Sequence, residues 1–237
     1  MVINSQKIRI AIKSIVNRLT GKTNVHFLHI GKTGGTAIKE ALLGVRSPKY
    51  FIFLHKHNVS LQDIPNGDKI FFVVRNPITR FVSGFNSRQR QGQPRYFYQW
   101  NDKEKIAFAN FKTANNLAES LSSSDSELRY SAECAMRSIT HVKSSFYDWV
   151  ISNEYFEQRK CDILFVGFQE SLDLDFDELK TILNLPSLVS LSSDPVKKHA
   201  SLDNQDVFLS ELALANLTQW YKKDIDFYNY CKSLYKK

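Results

Sequence analysis

Short apolar runs divide the 237-residue chain into alternating segments. Residues 25–30, 50–54, 69–74 and 161–167 are the four most apolar runs. Nearly continuous apolar runs of this length are typical of strands that are buried on both faces of a parallel sheet. Helical patterns occupy segments between and after them, at 36–43, 78–87, 128–158, 172–183 and 207–235. The alternation predicts an α/β fold, in which a central parallel sheet is flanked by helices in three layers.

The N-terminal segment, residues 1–20, repeats apolar residues at helical spacing among basic ones, namely Ile8, Ile12, Ile15, Val16 and Leu19. No apolar run reaches the roughly 18–20 residues that cross a bilayer, and the segment lacks the pattern of a signal peptide. We therefore expect a helix that either packs on the protein or lies on a membrane surface. The chain divides into this basic helix, 1–24, and one domain, 25–237, with a mostly helical insertion around 88–158.

The charge balance favours anionic partners. The net charge of +8 suits nucleotides, acidic glycans, nucleic acids or anionic lipids, and does not choose among them. The three cysteines lie far apart without a Cys-x-x-Cys pair, so we expect reduced thiols and no disulfide or metal site. This usage favours a cytoplasmic protein, membrane-peripheral if the helix binds lipid. A truncated eukaryotic chain would instead belong in the Golgi lumen.

The first strand runs into a turn with the composition of a phosphate-binding loop. Gly31-Lys32-Thr33-Gly34-Gly35-Thr36 separates this strand from the next helix. Backbone amides at a helix start bind anions, glycines let the backbone approach, and a lysine adds charge. The loop does not fit a Walker A motif, because the position five residues before Gly31 holds His26 instead of glycine. We expect a nucleotide phosphate here.

The third strand ends at a cation. A P-loop NTPase usually has an Asp at this strand end to help hold Mg²⁺, whereas this chain has Arg75. Asn76 and Pro77 then predict a helix start. Arg80 and Ser83 lie three residues apart on one face of that helix. Two anion-binding sets at two strand ends suit a nucleotide phosphorylated at two places, without magnesium.

These motifs resemble those of sulfotransferase family 2, which includes the heparan sulfate 2-O-sulfotransferases and bacterial relatives. Residues 29–36 resemble its 5′-phosphosulfate loop, and 75–83 resemble its 3′-phosphate motif, with Ser83 eight positions after Arg75. Residues 165–176 and 221–230 are similar to its later signatures, but more weakly. The resemblance implies the donor 3′-phosphoadenosine-5′-phosphosulfate (PAPS) and the product adenosine 3′,5′-bisphosphate. It assigns donor contacts to Gly31, Lys32, Thr33, Gly34, Gly35, Thr36, Arg75, Ser83, Lys198 and Ser201.

Sulfuryl transfer needs a base for the acceptor hydroxyl and a cation for the charge on the leaving oxygen. Lys32 is the candidate cation. A histidine near neutral pKa suits the base, and the His55-Lys56-His57 segment offers two. The resemblance to the family's His-x-His assigns the base to His57, with His55 orienting it or the acceptor.

The acceptor is the least specified part of the prediction. The family implies a hydroxyl of a carbohydrate or glycoconjugate, and we assign Arg80, Arg88 and His141 to its binding. The arginine- and aromatic-rich stretch 88–100 suits either a glycan surface or a solvated loop. The competing hypotheses are a P-loop-type kinase or NTPase and a basic protein that binds nucleic acid or membrane surfaces. The oligomeric state is left open.

Calorimetry separates these hypotheses. We expect adenosine 3′,5′-bisphosphate to bind without Mg²⁺ and more tightly than ATP with Mg²⁺. Tighter binding of ATP with Mg²⁺ would favour the kinase or NTPase. Binding that disappears in moderate salt would favour the non-specific nucleic-acid binder, because such binding depends on counterion release.

Overall fold

The sheet has four parallel strands in a computed structural model that describes residues 5–192 and 208–235. The strands are β1 (Thr23–Leu28), β2 (Tyr50–Leu54), β3 (Lys69–Val74) and β4 (Ile163–Phe168), in the order β2-β1-β3-β4. All adjacent pairs are parallel, and Phe27 lies between Leu54 of β2 and Phe71 of β3. Helices flank this sheet, so the predicted α/β class is confirmed.

The helices predicted at 36–43, 78–87 and 172–183 are present within two residues, whereas the segment predicted as mainly helical at 128–158 is divided among three helices. The helices are α1 (Ser5–Arg18), α2 (Gly35–Leu42), α3 (Pro77–Gln89), α4 (Asp102–Asn110), α5 (Ala114–Ser120), α6 (Ser126–Ser138), α7 (Tyr147–Val150), α8 (Asn153–Gln158), α9 (Leu172–Ile182), α10 (Glu211–Trp220) and α11 (Lys222–Tyr235). Short 3₁₀ turns occupy Leu61–Asp63, Lys160–Asp162 and Gln169–Ser171. Within the described ranges, no helix has the length and apolar character needed to cross a membrane.

The chain forms two compact units. The described part of the first unit comprises residues 5–74, 146–192 and 230–235, and includes the whole sheet. One layer of its core joins β1, β3 and β4 to α2 and α9 through buried side chains, among them Val25, Phe27, Ile38, Phe71, Val73, Phe176 and Leu179. These strands are buried on the sheet faces, as their continuous apolar sequences predict.

The second unit is helical and begins at Arg75, directly after β3. Its described part comprises residues 75–145 and 208–229. The side chain of Asn76 caps α3 by accepting hydrogen bonds from the amides of Ile78 and Thr79, and Pro77 occupies the first helical position. The core of this unit joins α3–α6 and α10 through aromatic and small residues, including Phe81, Phe85, Phe108, Phe111, Ala132, Ala135 and Leu217.

A buried ion pair ties α3 to α4 in the second unit. The guanidinium of Arg88 donates to both carboxylate oxygens of Glu104, at 2.9 and 2.7 Å, and to the carbonyls of Tyr98 and Gln99. Arg88 is 2% exposed and Glu104 is fully buried. Burial alone would raise the pKa of Glu104, but the hydrogen bonds from Arg88 and Thr140 lower it to about 2. The acceptor contact predicted for Arg88 is therefore corrected, because the fold uses its donors internally.

Breaking this pair should be costly. Arg88→Met leaves a buried carboxylate without its partner, and we expect a loss of about 3–5 kcal/mol in the free energy of unfolding. The matched control is Arg137→Met, which breaks the 3.0 Å surface pair with Glu133 and should cost below about 1 kcal/mol. Urea unfolding followed by circular dichroism measures both. Equal losses in the two variants would contradict the structural role of Arg88.

Candidate active site

The predicted phosphate loop connects β1 to α2 in the first unit. Lys32 and Gly34 both have left-handed backbone conformations, with φ of 66° and 83°, and Gly34 is the N-cap of α2. The hydroxyl of Thr33 donates to the carbonyl of Ile30 at 3.0 Å, so this side chain stabilises the turn itself. Lys32 and Thr36 are half-buried at the loop surface. The loop is thus a shaped turn that ends in a helix start.

Gly35 allows α2 to begin directly against the imidazole of His29. A Cβ atom at position 35 would lie 2.4 Å from Cδ2 and 2.7 Å from Nε2 of His29, closer than any side chain can approach. The first turn of α2 contains no acidic residue. Amides in the first turn of a helix have no acceptor within the helix and attract anions. The geometry therefore fits an anionic group at the start of α2, bounded by His29.

His57 also packs against His29. Its Nδ1 lies 3.0 Å from the carbonyl oxygen of His29, and the centres of the two rings are 3.8 Å apart. Because a carbonyl only accepts, Nδ1 of His57 carries the proton, and Nε2 of the neutral ring holds the lone pair. The indole N–H of Trp149 donates to the carbonyl of His57 at 2.8 Å, which fixes the backbone there.

The surroundings of His57 favour its neutral form. Partial burial lowers the pKa of His57, the hydrogen bond to His29 acts in the opposite direction, and the charges of Lys39 and Lys32 lower it further. The pKa therefore lies below the usual 6.5 of histidine. At neutral pH, Nε2 is available to accept a proton, as a general base requires.

His55 belongs to a buried chain of polar groups. Its Nε2 lies 2.8 Å from Nδ1 of His26, and Nε2 of His26 lies 3.0 Å from a carboxylate oxygen of Asp68. His26 donates to Asp68 through Nε2, because the carboxylate accepts. Its Nδ1 then accepts from Nε2–H of His55, provided that the ring of His26 is neutral. This assigns the lone pair of His55 to Nδ1.

The protonation states of Asp68, His26 and His55 support these tautomers. Burial lowers the pKa of His26 and lowers the pKa of His55 to about 3, so both rings are neutral near pH 7. Burial acts to raise the pKa of Asp68, but hydrogen bonds from His26, Ser14, Arg18 and Asn24 outweigh it and hold the pKa below its usual value. Ser14 and Arg18 donate to this carboxylate at 2.5 and 2.7 Å.

The sequence pattern indicated no role for His26, for the side chain of His29 or for Asp68. A signal for His26 was present, because Asn24 and His26 alternate in an otherwise apolar strand and therefore point to one face. Asp68 gave no such signal, since it lies in a turn before β3. Its pairing with His26, 42 residues away, follows from the parallel alignment of β1 and β3.

The second unit contains the predicted 3′-phosphate residues. Arg75 is half-buried, and its Nε donates to the hydroxyl of Thr79 at 3.0 Å. Ser83 is also half-buried, two turns further along α3. Arg80 is 3% exposed, and its Nη1 donates to the carbonyl of Ser144 at 2.8 Å. The acceptor contact predicted for Arg80 is therefore corrected to an anchoring role in this unit, since its guanidinium is buried against backbone.

Comparison with known families matches residues 18–231 to the model of the Sulfotransferase family. The chain belongs to the sulfotransferase family. A search of curated proteins found no match. The family assigns this chain to the transferases that move sulfuryl groups, and the match includes the predicted phosphate loop, the histidines and α3.

Of the three remaining predicted site residues of this sulfotransferase, the structure describes one, His141. His141 is half-buried, has a left-handed backbone with φ of 72°, and lies against Gly84 of α3. Its contact with the acceptor stays a prediction. Lys198 and Ser201 lie outside the described residues, so their donor contacts also stay predictions.

The buried histidines of the sulfotransferase should make it sensitive to mild acid. The unfolded chain binds protons near pH 6.5, whereas folded His55, with a pKa of about 3, does not. Stability therefore falls as the pH decreases below 6.5. For His55 we expect a loss of roughly 1–1.5 kcal/mol between pH 7.5 and 5.5.

Urea unfolding at a series of pH values measures this loss. The comparison variant is His55→Gln, whose amide still donates to His26 but does not titrate, so its pH dependence should be shallower. An identical pH dependence in the variant and the parent protein would show that His55 is not held neutral.

Proposed function

We propose that this sulfotransferase moves a sulfuryl group from PAPS to a hydroxyl of a carbohydrate or glycoconjugate. Membership of the family supports the reaction class. The loop Gly31–Thr36 supports an anionic donor, because it combines left-handed turn residues, a lysine and a helix start.

One observation carries the proposal, namely that His29 joins the base to the phosphate loop. Its carbonyl accepts from Nδ1 of His57, while its imidazole lies where a side chain at position 35 would be. His57 and the start of α2 are thereby both held against one residue, His29. In-line transfer needs this combination, since the base must act on an acceptor that attacks the anionic group.

The proposed reaction balances as a simple displacement. Nε2 of His57 takes the proton of the acceptor hydroxyl as its oxygen forms a bond to sulfur. The bond between sulfur and the bridging oxygen breaks, and that oxygen leaves with adenosine 3′,5′-bisphosphate. The ammonium of Lys32 stabilises the charge that develops on the leaving oxygen. His57 then releases its proton to solvent.

His55 is assigned to orientation instead of proton transfer. Its Nε2–H is used in the hydrogen bond to His26, and the ring is 8% exposed. The buried chain from Asp68 through His26 fixes its ring, so the backbone that leads to His57 starts from an anchored residue. We assign the 3′-phosphate of the donor to Arg75 and Ser83, because residues 75–83 resemble the 3′-phosphate motif of the family.

The carbohydrate acceptor is assigned from the family resemblance and the charge. A net charge of +8 favours an acidic saccharide over a neutral one. Among the arginines of α3, Arg80 and Arg88 are used by the fold, which leaves acceptor recognition to other residues.

The direct test is sulfuryl transfer from radiolabelled PAPS to acidic polysaccharides, neutral glycosides and lipid-linked sugars. We expect His57→Ala to lower kcat by about 100-fold or more, in line with the usual contribution of a general base. Lys32→Met should also lower kcat. The control Lys105→Met removes an exposed lysine of α4 and should leave the rate unchanged.

The pH profile adds an independent check. Because the pKa of His57 is lowered, kcat/KM should stay on its plateau at pH 6.5 and decline only at more acidic pH. An active His57→Ala variant would remove the proposed base. The proposed function would be overturned if the protein transferred no sulfuryl group from PAPS and instead transferred a phosphoryl group from ATP in the presence of Mg²⁺.

A further inference from the structure

Helix α1 packs on the first unit through a face that contains two polar residues. Among the α1 side chains that the structure describes, Ile10, Ser14 and Asn17 are buried. The hydroxyl of Ser14 donates to Asp68, and its carbonyl accepts from the side-chain amide of Asn24 at 2.9 Å. Arg18 adds two hydrogen bonds to the same carboxylate. These contacts fix the orientation of the helix relative to β1 and to the turn before β3.

The opposite face of α1 is apolar and exposed. Its large aliphatic side chains are between 42% and 85% exposed. They are Ile8, Ile12, Ile15 and Val16 of the helix and Leu19 in the turn directly after it. At about 100° per residue, these positions form one continuous stripe, nearly opposite Ile10, Ser14 and Asn17. A helix on a globular protein normally turns its apolar stripe towards the core. In α1 this arrangement is inverted, so the stripe is available for a partner.

Basic residues flank the stripe on both sides. Arg9 and Lys13 lie along one edge of the stripe. Lys7 and Arg18 lie on its other side, between Ala11 and the buried Ser14, as the helical repeat requires. All four are exposed, and Arg18 is also paired with Asp68. The first 39 residues contain no Asp or Glu. An apolar stripe between two rows of cations has the composition of a helix that lies in a membrane interface.

We propose that α1 docks this sulfotransferase on an anionic lipid surface. Ile8, Ile12, Ile15, Val16 and Leu19 enter the boundary between headgroups and acyl chains, while the flanking cations contact anionic headgroups. Because α1 is hydrogen-bonded to Asp68 and Asn24, the folded first unit presents the stripe. The charge pattern favours lipid over a second copy of the chain. Symmetric packing of two α1 helices would bring like charges together, with no acid on either helix to pair with them.

Vesicle sedimentation tests the proposal with the full chain. One set of vesicles is phosphatidylcholine, and the other contains about 30% phosphatidylglycerol. We expect binding to the anionic vesicles, and weaker binding as salt is raised well above about 0.1 M. Ile12→Ser combined with Ile15→Ser should weaken binding by about tenfold or more, because two inserted side chains are lost. Lys7→Gln combined with Arg9→Gln should remove much of the preference for anionic lipid.

The matched control is Leu174→Ser, which removes an aliphatic side chain that is 74% exposed on α9. It should change binding by less than about twofold. Circular dichroism verifies that each variant is folded, and the charge variant provides a second test that leaves both faces of α1 intact. Unchanged binding in the stripe variant, or equal binding to both vesicle types, would overturn the proposal. Light scattering that shows a dimer dissociated by the stripe variant would instead assign this face to a second copy.

Discussion

The close approach of Gly35 to His29 is the constraint on which the candidate site depends. The imidazole of His29 occupies the space that a Cβ atom at position 35 would fill. Only glycine lets α2 start there, and the same residue His29 offers its carbonyl to Nδ1 of His57. The helix start that suits an anion and the nitrogen that suits a base are thus parts of one packed arrangement. A change at Gly35 would disturb both, although it carries no functional group.

A buried series of hydrogen bonds from Asp68 through His26 to His55 supports this arrangement. Burying an ionised carboxylate and two imidazoles is costly unless each group is hydrogen-bonded. Donors from Ser14, Arg18 and Asn24 satisfy Asp68, which in turn determines the tautomer of His26. The result is a charged carboxylate beside neutral histidines. That pattern holds the proposed orienting residue, His55, uncharged at neutral pH, because burial beside His26 lowers its pKa.

The arginines of residues 75–88 and the helix α1 show that residues of one type have different roles in this chain. The sequence does not distinguish the roles of Arg75, Arg80 and Arg88. In the structure, the guanidinium of Arg88 pairs with Glu104, and that of Arg80 donates to a backbone carbonyl. Helix α1 is amphipathic as its pattern indicates, but it buries polar Ser14 and exposes Ile12 and Ile15. In both cases a partner distant in the sequence, Glu104 for Arg88 and Asp68 for α1, determines which side chains are buried. Asp68 makes the polar side of α1 the better one to bury, because it needs donors.

The sequence alone determined the strands, the turn between β1 and α2, the cap at Asn76 and the family. Those features depend on contacts within a few residues, such as apolar runs and helix capping, so a local pattern encodes them. The tertiary structure decided the partners of His26 and Asp68, the burial of Arg88 and the outward face of α1. These pairings join groups 42, 16 and 54 residues apart, as in His26 with Asp68, Arg88 with Glu104 and Ser14 with Asp68. A local sequence pattern does not encode contacts at such sequence separations, because the packing of strands and helices against each other creates them.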